Sequence, residues 1–164
     1  SDIIYVGGGN TKAMLDKWKS VSLDIILRKA YHENIILSGV SAGAICWFTM
    51  GSSDSLKFDN PNSQLMALSC LGFINLTVAP HFDEEKDRRP NFKNLLKVTK
   101  NTGIGLDNCA AIKIIDNNFE VITSRENAKV WLCKWKDNIY YEDELSDEFI
   151  GELNLLDINK SYNN

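Results

Sequence analysis

The pentapeptide Gly-Val-Ser-Ala-Gly at residues 39–43 constrains the fold of this 164-residue chain more than any other feature. It follows the apolar run at residues 35–37, and the small and then large apolar residues after it predict a helix over 42–48. Glycines on both sides of a serine allow the sharp turn at which a strand passes directly into a helix. The pattern therefore predicts an α/β domain in which Ser41 is a nucleophile at a strand end.

The order of elements along the chain supports this fold class. Apolar runs predict buried strands at residues 3–6, 35–37 and 75–79. Helical spacing of apolar residues predicts helices over 11–19, 22–32 and 91–100. Polar or charged composition predicts loops at 50–64 and 83–90, and four short strands are expected at 104–106, 110–115, 120–123 and 129–135. This order predicts an α/β fold with a mainly parallel, doubly wound sheet.

The domain organisation predicted is a single α/β domain over residues 1–156 with a flexible tail at 157–164. The chain opens almost directly on the strand at 3–6, without an initial Met. We therefore expect a domain that lacks N-terminal elements.

Composition excludes several function classes. The net charge is −4 and the basic residues are scattered, so a nucleic-acid partner is not expected. No apolar run approaches the ~18 residues that span a bilayer, and no signal peptide is recognisable, so no membrane partner is expected. Four cysteines without a C-x-x-C pair and only two histidines predict no metal and no cofactor. The cysteines lie in apolar stretches, which is typical of buried free thiols in a reducing, cytoplasmic setting.

A nucleophilic serine needs a base, and His81 is the better candidate of the two histidines. His32 ends a predicted helix beside polar residues, a solvated position. His81 follows the predicted strand at 75–79, and strand ends of parallel sheets face the ligand crevice, where Ser41 is also expected. The alternative is an ordinary loop histidine whose ring is satisfied locally.

The group that orients this base is left open between Asp54 and Asp107. Asp54 lies in the polar loop after the nucleophile helix, and Asp107 follows the strand at 104–106. Asp83 is too close in sequence to reach easily behind the ring of His81. An isolated loop aspartate is also typical of turns.

Backbone and polar groups complete the candidate site. The N–H of Ala42, at the start of a helix, is a natural oxyanion donor. The turn at Gly7-Gly8-Gly9 offers a second donor, although it also fits a plain strand-to-helix turn capped by Asn10 or Thr11. Arg88 and Arg89 can pair with a substrate carboxylate. The alternatives for these arginines are a solvated loop or ion pairs with the nearby acids.

Together these residues resemble the peptidase E family of aspartyl dipeptidases and cyanophycinase relatives, whose fold is like that of class I glutamine amidotransferases. The matching stretches are Ile4-Tyr5-Val6-Gly7-Gly8-Gly9-Asn10-Thr11, Gly39-Val40-Ser41-Ala42-Gly43-Ala44 and Pro80-His81-Phe82. A weaker match is Gly103-Ile104-Gly105-Leu106-Asp107-Asn108. They occur in family order over roughly the first two thirds of the chain.

The resemblance implies Ser41 as nucleophile, His81 as base, and the Gly9 and Ala42 N–H groups as the oxyanion hole. The glutamate that serves dipeptidase members as the third residue matches Asn108 here, with Asp107 just before it, and another family acid matches Asp54 approximately. Arg88 and Asn10 are expected at the substrate, and Arg88 matches an arginine that holds an acidic side chain. Family members carry further elements before the first strand. Their lack here implies a homo-oligomer formed through the exposed surface.

The function expected from the sequence is a serine peptidase that hydrolyses short peptides through an acyl-enzyme, with dipeptides bearing an N-terminal acidic residue as one substrate class. Two alternatives remain. One is a catalytically impaired binding or assembly module that retains the serine turn. The other is an esterase or amidase for non-peptide substrates.

Overall fold

The computed structural model describes residues 1–84, 86–116, 118–145 and 150–152, the last range as backbone alone. The chain divides into two compact units, Ser1–Asn75 and Leu76–Asn164. The tail predicted at 157–164 lies outside the described residues. The single domain over 1–156 stays a prediction.

The first unit alternates strands and helices. Its elements are β1 (Ile3–Val6), α1 (Thr11–Ser20), α2 (Leu23–His32), β2 (Ile36–Gly39), α3 (Ala42–Ile45), β3 (Phe48–Ser53), a 3-10 helix (Ser55–Phe58) and β4 (Met66–Ser69). β1 and β2 are parallel, with Val6 opposite Gly39. β3 and β4 are antiparallel, with Met50 opposite Ser69. The strand predicted at 3–6 and the two helices that follow it are confirmed.

Helix α1 begins where the sequence predicts it. The Asn10 side chain accepts a hydrogen bond from the Ala13 N–H at 3.0 Å, so it caps the first turn. Leu15 on α1 and Leu27 on α2 are buried, as the apolar spacing requires. The capped, amphipathic pair of helices thus follows directly from local sequence signals.

The predicted helix over 42–48 is wrong in its length, and the predicted loop over 50–64 is wrong in its first residues. Helix α3 ends at Ile45, and β3 begins at Phe48. A Cβ atom at Gly51 would collide with the Ile45 side chain, so β3 needs a small residue there. Ser52 and Ser53 are fully buried beside it. Small polar residues that suggest a loop are here those that fit a tightly packed strand.

The second unit is rich in strands. Its elements are the greater part of β5 (Ile74–Pro80), α4 (Arg88–Thr99), β6 (Gly103–Leu106), β7 (Ala110–Ile115), β8 (Asn118–Thr123), β9 (Val130–Lys136), β10 (Ile139–Leu145) and β11 (Ile150–Glu152). β5 and β6 are parallel, whereas β9 is antiparallel to both β6 and β10. β8 pairs antiparallel with β7 and β11 in a separate sheet.

The strands predicted in this half are confirmed, but the sheets are mixed. Asp137 and Asn138 have φ values of 52° and 62° between β9 and β10. A two-residue turn of this kind joins antiparallel neighbours, because a parallel pair needs a long crossover. The run Asp116-Asn117-Asn118 also predicts a hairpin turn, and residue 117 lies outside the described residues. The chain is α/β, and the doubly wound parallel sheet stays a prediction.

Aromatic rings packed on bare glycine backbone form the core of the second unit. Phe82, Phe92 and Leu96 are buried, and the Phe82 and Phe92 rings meet edge to face at 5.7 Å. A Cβ at Gly103 would lie 2.5 Å from Phe92, and one at Gly105 would lie 2.6 Å from Phe82. The absence of side chains at these two positions of β6 lets the rings approach the strand.

Burial of the cysteines is only partly as predicted. Cys46 and Cys133 are buried, whereas Cys70 is half-buried and Cys109 is exposed; all four are free thiols. Burial raises the pKa of Cys133 to about 12. Cys109 is exposed in the turn between β6 and β7, where it has a left-handed conformation with φ of 67°. Among the helices in the described ranges, none is long and apolar enough to cross a membrane.

Replacing Phe92 with Ala should lower the free energy of unfolding by about 3–5 kcal/mol, because the ring is fully buried and its loss leaves a cavity. Val98→Ala on the same helix is the matched control, since Val98 is 82% exposed and its change should stay within about 0.5 kcal/mol. Urea denaturation of both variants measures the difference. Equal losses would contradict this account of the core.

Candidate active site

Ser41 occupies the turn between β2 and α3 in a strained conformation. Its φ and ψ are 55° and −114°, which a residue with a side chain rarely adopts. The Ala44 and Ile45 N–H groups both donate to the Ser41 carbonyl at 3.0 Å. The strand-to-helix turn predicted from the pentapeptide is therefore present, with the serine at its apex.

Contact with β1 explains why both flanking residues are glycine. A Cβ at Gly43 would collide with the Val6 carbonyl, and one at Gly39 would collide with the Gly43 carbonyl. The Val40 N–H donates to the Val6 carbonyl at 3.1 Å, continuing the parallel pairing of β1 and β2. Three backbone segments thus meet at contact distance, and the turn is fixed by packing rather than by side chains.

The glycine-rich turn after β1 lies beside the serine. A Cβ at Gly8 would be 3.3 Å from the Ser41 Cβ and 3.7 Å from its Oγ. Gly9 has a φ of 143°, a conformation that favours glycine. Ala42 is buried at the first position of α3, a helix of only four residues. The oxyanion roles of Gly9 and Ala42 stay predictions, and so short a helix adds little dipole to them.

Asn10 is hydrogen-bonded to Ser55, the residue that follows Asp54, within the first unit. The Asn10 amide donates to the Ser55 carbonyl at 3.2 Å while its oxygen caps α1. The Lys12 N–H donates to the Ser55 hydroxyl at 3.0 Å. Asp54 precedes the 3-10 helix without capping it through its side chain. Asn10 therefore holds the glycine-rich turn in place, while contact with a substrate stays a prediction.

His81 follows β5 directly, as predicted, and belongs to the second unit. Its φ of 54° turns the chain sharply away from the strand. The next residue is anchored twice: the Phe82 N–H donates to the Leu106 carbonyl at 3.0 Å, and the Phe82 ring packs on Gly105. A half-buried imidazole is thereby held at the end of a strand.

The His81 ring contacts Asn108. Nδ1 of His81 and Oδ1 of Asn108 are 2.7 Å apart. The Asn108 amide donates to Glu84 Oε2 at 2.5 Å, and the Asn108 N–H donates to Asp83 Oδ1 at 2.9 Å. Asp83 is not expected behind the ring of His81 because it is close in sequence, and it instead holds the backbone of Asn108, which contacts the ring.

The Asp107 carboxylate is directed elsewhere within the second unit. It is 6% exposed, and it accepts hydrogen bonds from the Trp131 indole at 3.1 Å and the Lys129 N–H at 3.2 Å. Burial raises the pKa of Asp107, and the bond from Trp131 opposes that shift. These contacts join the end of β6 to β9, so the geometry favours Asn108 over Asp107 as the partner of His81.

The two arginines differ from the expectation of a solvated loop. Arg88 begins α4 and is 1% exposed, so the loop predicted at 83–90 ends three residues early, and the helix predicted from residue 91 begins at 88. The Arg89 guanidinium lies between the Phe82 and Trp131 rings, 4.4 and 4.5 Å from their centroids, and pairs with Glu142. Arg89 is therefore part of the packing around Phe82, and contact of Arg88 with a substrate stays a prediction.

Comparison with known proteins agrees with these motifs. The model of peptidase family S51 matches residues 1–122 of the chain. That match covers both glycine-rich turns, Ser41, His81 and Asn108.

The chain belongs to peptidase family S51.

A curated relative supports the same placement. The uncharacterized peptidase YgaJ of Bacillus subtilis (strain 168) is 39% identical to this S51 chain over 152 residues, or 92% of the chain. The chain spans 64% of the length of that relative. The resemblance to the peptidase E family is thus confirmed at the level of the family.

Glu84 is a residue beside the candidate base His81 that sequence reasoning missed. It lies three residues after His81 in a charged stretch, where a carboxylate looks like ordinary surface. The one available signal is the amide at position 108. A side-chain amide beside a histidine can adopt two orientations, and a nearby carboxylate can select one of them, so the amide indicates that such an acid is present.

Within the described ranges, no group of three or more His, Cys, Asp or Glu residues is arranged to hold a metal ion.

Gly43→Ala should lower the free energy of unfolding by about 1–3 kcal/mol, because the new methyl group meets the Val6 backbone, which cannot yield easily. Gly7→Ala is the matched control, since no atom lies within 4 Å of a Cβ built there. Urea denaturation of the two variants measures both effects. A Gly43 variant as stable as the Gly7 variant would show that the turn is not fixed by contact with β1.

Proposed function

We propose that the chain is a serine peptidase that hydrolyses short peptides, with Ser41 as nucleophile and His81 as base. The observation that carries the proposal is the strained serine turn, in a chain that belongs to peptidase family S51. Backbone strain persists only where packing imposes it, and it clusters at functional sites. The His81–Asn108 contact supports the assignment of the base, since a histidine base needs an acceptor behind its other nitrogen.

The proposed reaction proceeds through an acyl-enzyme. The Ser41 Oγ attacks the scissile carbonyl carbon, and its proton passes to His81 Nε2. The Gly9 and Ala42 N–H groups stabilise the oxyanion, each by about 2.7–4 kcal/mol if they resemble other such donors. The C–N bond then breaks, and the His81 proton goes to the leaving amine. Water then attacks the ester carbonyl while His81 takes its proton. The bond between the acyl carbon and Ser41 Oγ breaks, His81 returns the proton to Oγ, and the acyl group leaves as a carboxylic acid.

The finer features of the proposal come from the family resemblance. They include a doubly wound sheet like that of class I glutamine amidotransferases and a substrate whose N-terminal residue is acidic, held by Arg88 and Asn10. Asp54 remains a second candidate for the third residue, beside Asn108. The free thiols of all four cysteines support a reducing, cytoplasmic location.

Ser41→Ala should abolish hydrolysis of a panel of dipeptides, because no other group in the proposal forms the acyl-enzyme. A fluorophosphonate probe should label the folded protein at Ser41 and fail to label the denatured protein. Peptide mapping by mass spectrometry locates the label. Absence of labelling in the folded protein would favour a binding module that retains the turn. Turnover of small acyl esters without turnover of dipeptides would favour an esterase or amidase.

We also propose that the chain self-associates through one face of the β1–β2 pair. Ile3 and Ile36 are register partners on that face, and Tyr5 follows two residues along β1. All three side chains are more than half exposed. A contiguous apolar face is complementary to a second copy of itself, which is how two-fold dimers are commonly built.

Sedimentation velocity at micromolar concentration should detect the dimer. Tyr5→Lys should shift the protein to a monomer, because two buried ammonium groups would oppose each other across the interface. Val98→Lys is the control, since Val98 is an exposed apolar residue of α4 outside that face. A monomeric native chain would contradict the proposal.

A further inference from the structure

We propose that Glu84 is a positioning residue: it orients the Asn108 amide and, through it, sets the tautomer of His81. The inference rests on the proposed function, in which His81 is the base. It concerns contacts within the second unit alone, and it explains how an amide can stand where a carboxylate is usual.

The contacts form a short chain that ends at the imidazole. Glu84 Oε2 and Asn108 Nδ2 are 2.5 Å apart, and Asn108 Oδ1 lies 2.7 Å from His81 Nδ1. Each pair is within hydrogen-bond distance. Glu84 is exposed, whereas His81 and Asn108 are half-buried.

The hydrogen-bonding capacity of each group dictates the direction of the chain. A carboxylate only accepts, so the side of Asn108 that faces Glu84 has to be the NH2 group. The oxygen of Asn108 then faces His81, and an oxygen only accepts. Nδ1 of His81 therefore carries the proton. In a neutral imidazole this leaves the lone pair on Nε2, the nitrogen that a base presents to a serine hydroxyl.

The amide alone does not select this arrangement. Its oxygen and NH2 ends are nearly equal in shape, and the reversed orientation would place N–H groups against Nδ1. His81 would then accept at Nδ1 and carry its proton on Nε2, which would remove the base. Glu84 favours the first orientation, because its carboxylate accepts a hydrogen bond from the NH2 end of the amide and would repel the oxygen end. An aspartate at this position would need no such selection, because both of its oxygens accept.

The backbone of Asn108 is held independently of Glu84. The Asn108 N–H donates to Asp83 Oδ1, and Arg125 donates to Asp83 Oδ2 at 3.1 Å. Replacing Glu84 should therefore change the orientation of the amide without displacing residue 108. Glu84→Gln is the informative variant, because it keeps the size of the side chain and can face the amide with either end.

Kinetics of four proteins test the inference: the native chain, Glu84→Gln, Asn108→Asp and the double variant. Glu84→Gln should lower kcat/KM roughly threefold to tenfold through kcat, the range expected for one solvent-accessible hydrogen bond. In the Asn108→Asp background the same change should cause no loss. Glu126→Gln removes a charge from another exposed carboxylate of the second unit and should leave kcat/KM unchanged. Equal losses from Glu84→Gln in both backgrounds would overturn the proposal.

Proton–nitrogen correlation NMR of the histidine rings provides a readout that needs no peptidase activity. At a pH where the imidazole is neutral, native His81 should be mainly the Nδ1–H tautomer, and Glu84→Gln should increase the Nε2–H form. Exposed His32 is the internal control and should not change. A native Nε2–H tautomer, or one that Glu84→Gln leaves unchanged, would overturn the role of Glu84. If only the proposed function were wrong, the NMR spectra would still show the expected tautomers, but the protein would not hydrolyse peptides.

Discussion

Contact between the Val6 carbonyl and Gly43 is the constraint on which the serine turn depends. β1 and β2 are adjacent parallel strands, and the helix that follows β2 passes directly over the end of β1. Such close approach is possible only where residue 43 has no side chain. The backbone must therefore turn sharply at Ser41, between β2 and α3, and it does so with a positive φ. The strained conformation of Ser41 is thus imposed by the packing of backbone around it.

The region around His81 is built on a different principle. Here polar groups form two chains of hydrogen bonds. One runs from Arg125 through Asp83 to the backbone N–H of Asn108, and the other runs from Glu84 through the Asn108 amide to the His81 ring. Arg89 and Phe82 support the adjacent residue from the apolar side. A hydrogen-bonded network specifies the direction of each proton, which packing alone cannot do.

Sequence reasoning found most elements because their signals are local. Asn10 caps α1 as its position indicates, and the helices at 11–20 and 23–32 follow the spacing of their apolar residues. Sequence reasoning failed where tertiary contacts determine the local conformation. Gly51 belongs to a strand because Ile45 packs against it, and its neighbours in sequence give no sign of that contact. Ser41 and His81 could be selected from motifs and from the scarcity of histidine. The contact between Asn108 and Glu84 could not be predicted, because 24 residues separate them and only the fold brings them together.

The packing of Phe82 on Gly105 also acts as a spacer. Phe82 adjoins His81, and Gly105 lies three residues before Asn108, so the thickness of one aromatic ring against bare backbone helps to set the gap between imidazole and amide. Such a spacer works by steric exclusion and dispersion, which respond little to protonation or dissolved salt. The hydrogen bonds at this site decide where protons reside. The distance across which they operate is held by a contact that carries no charge.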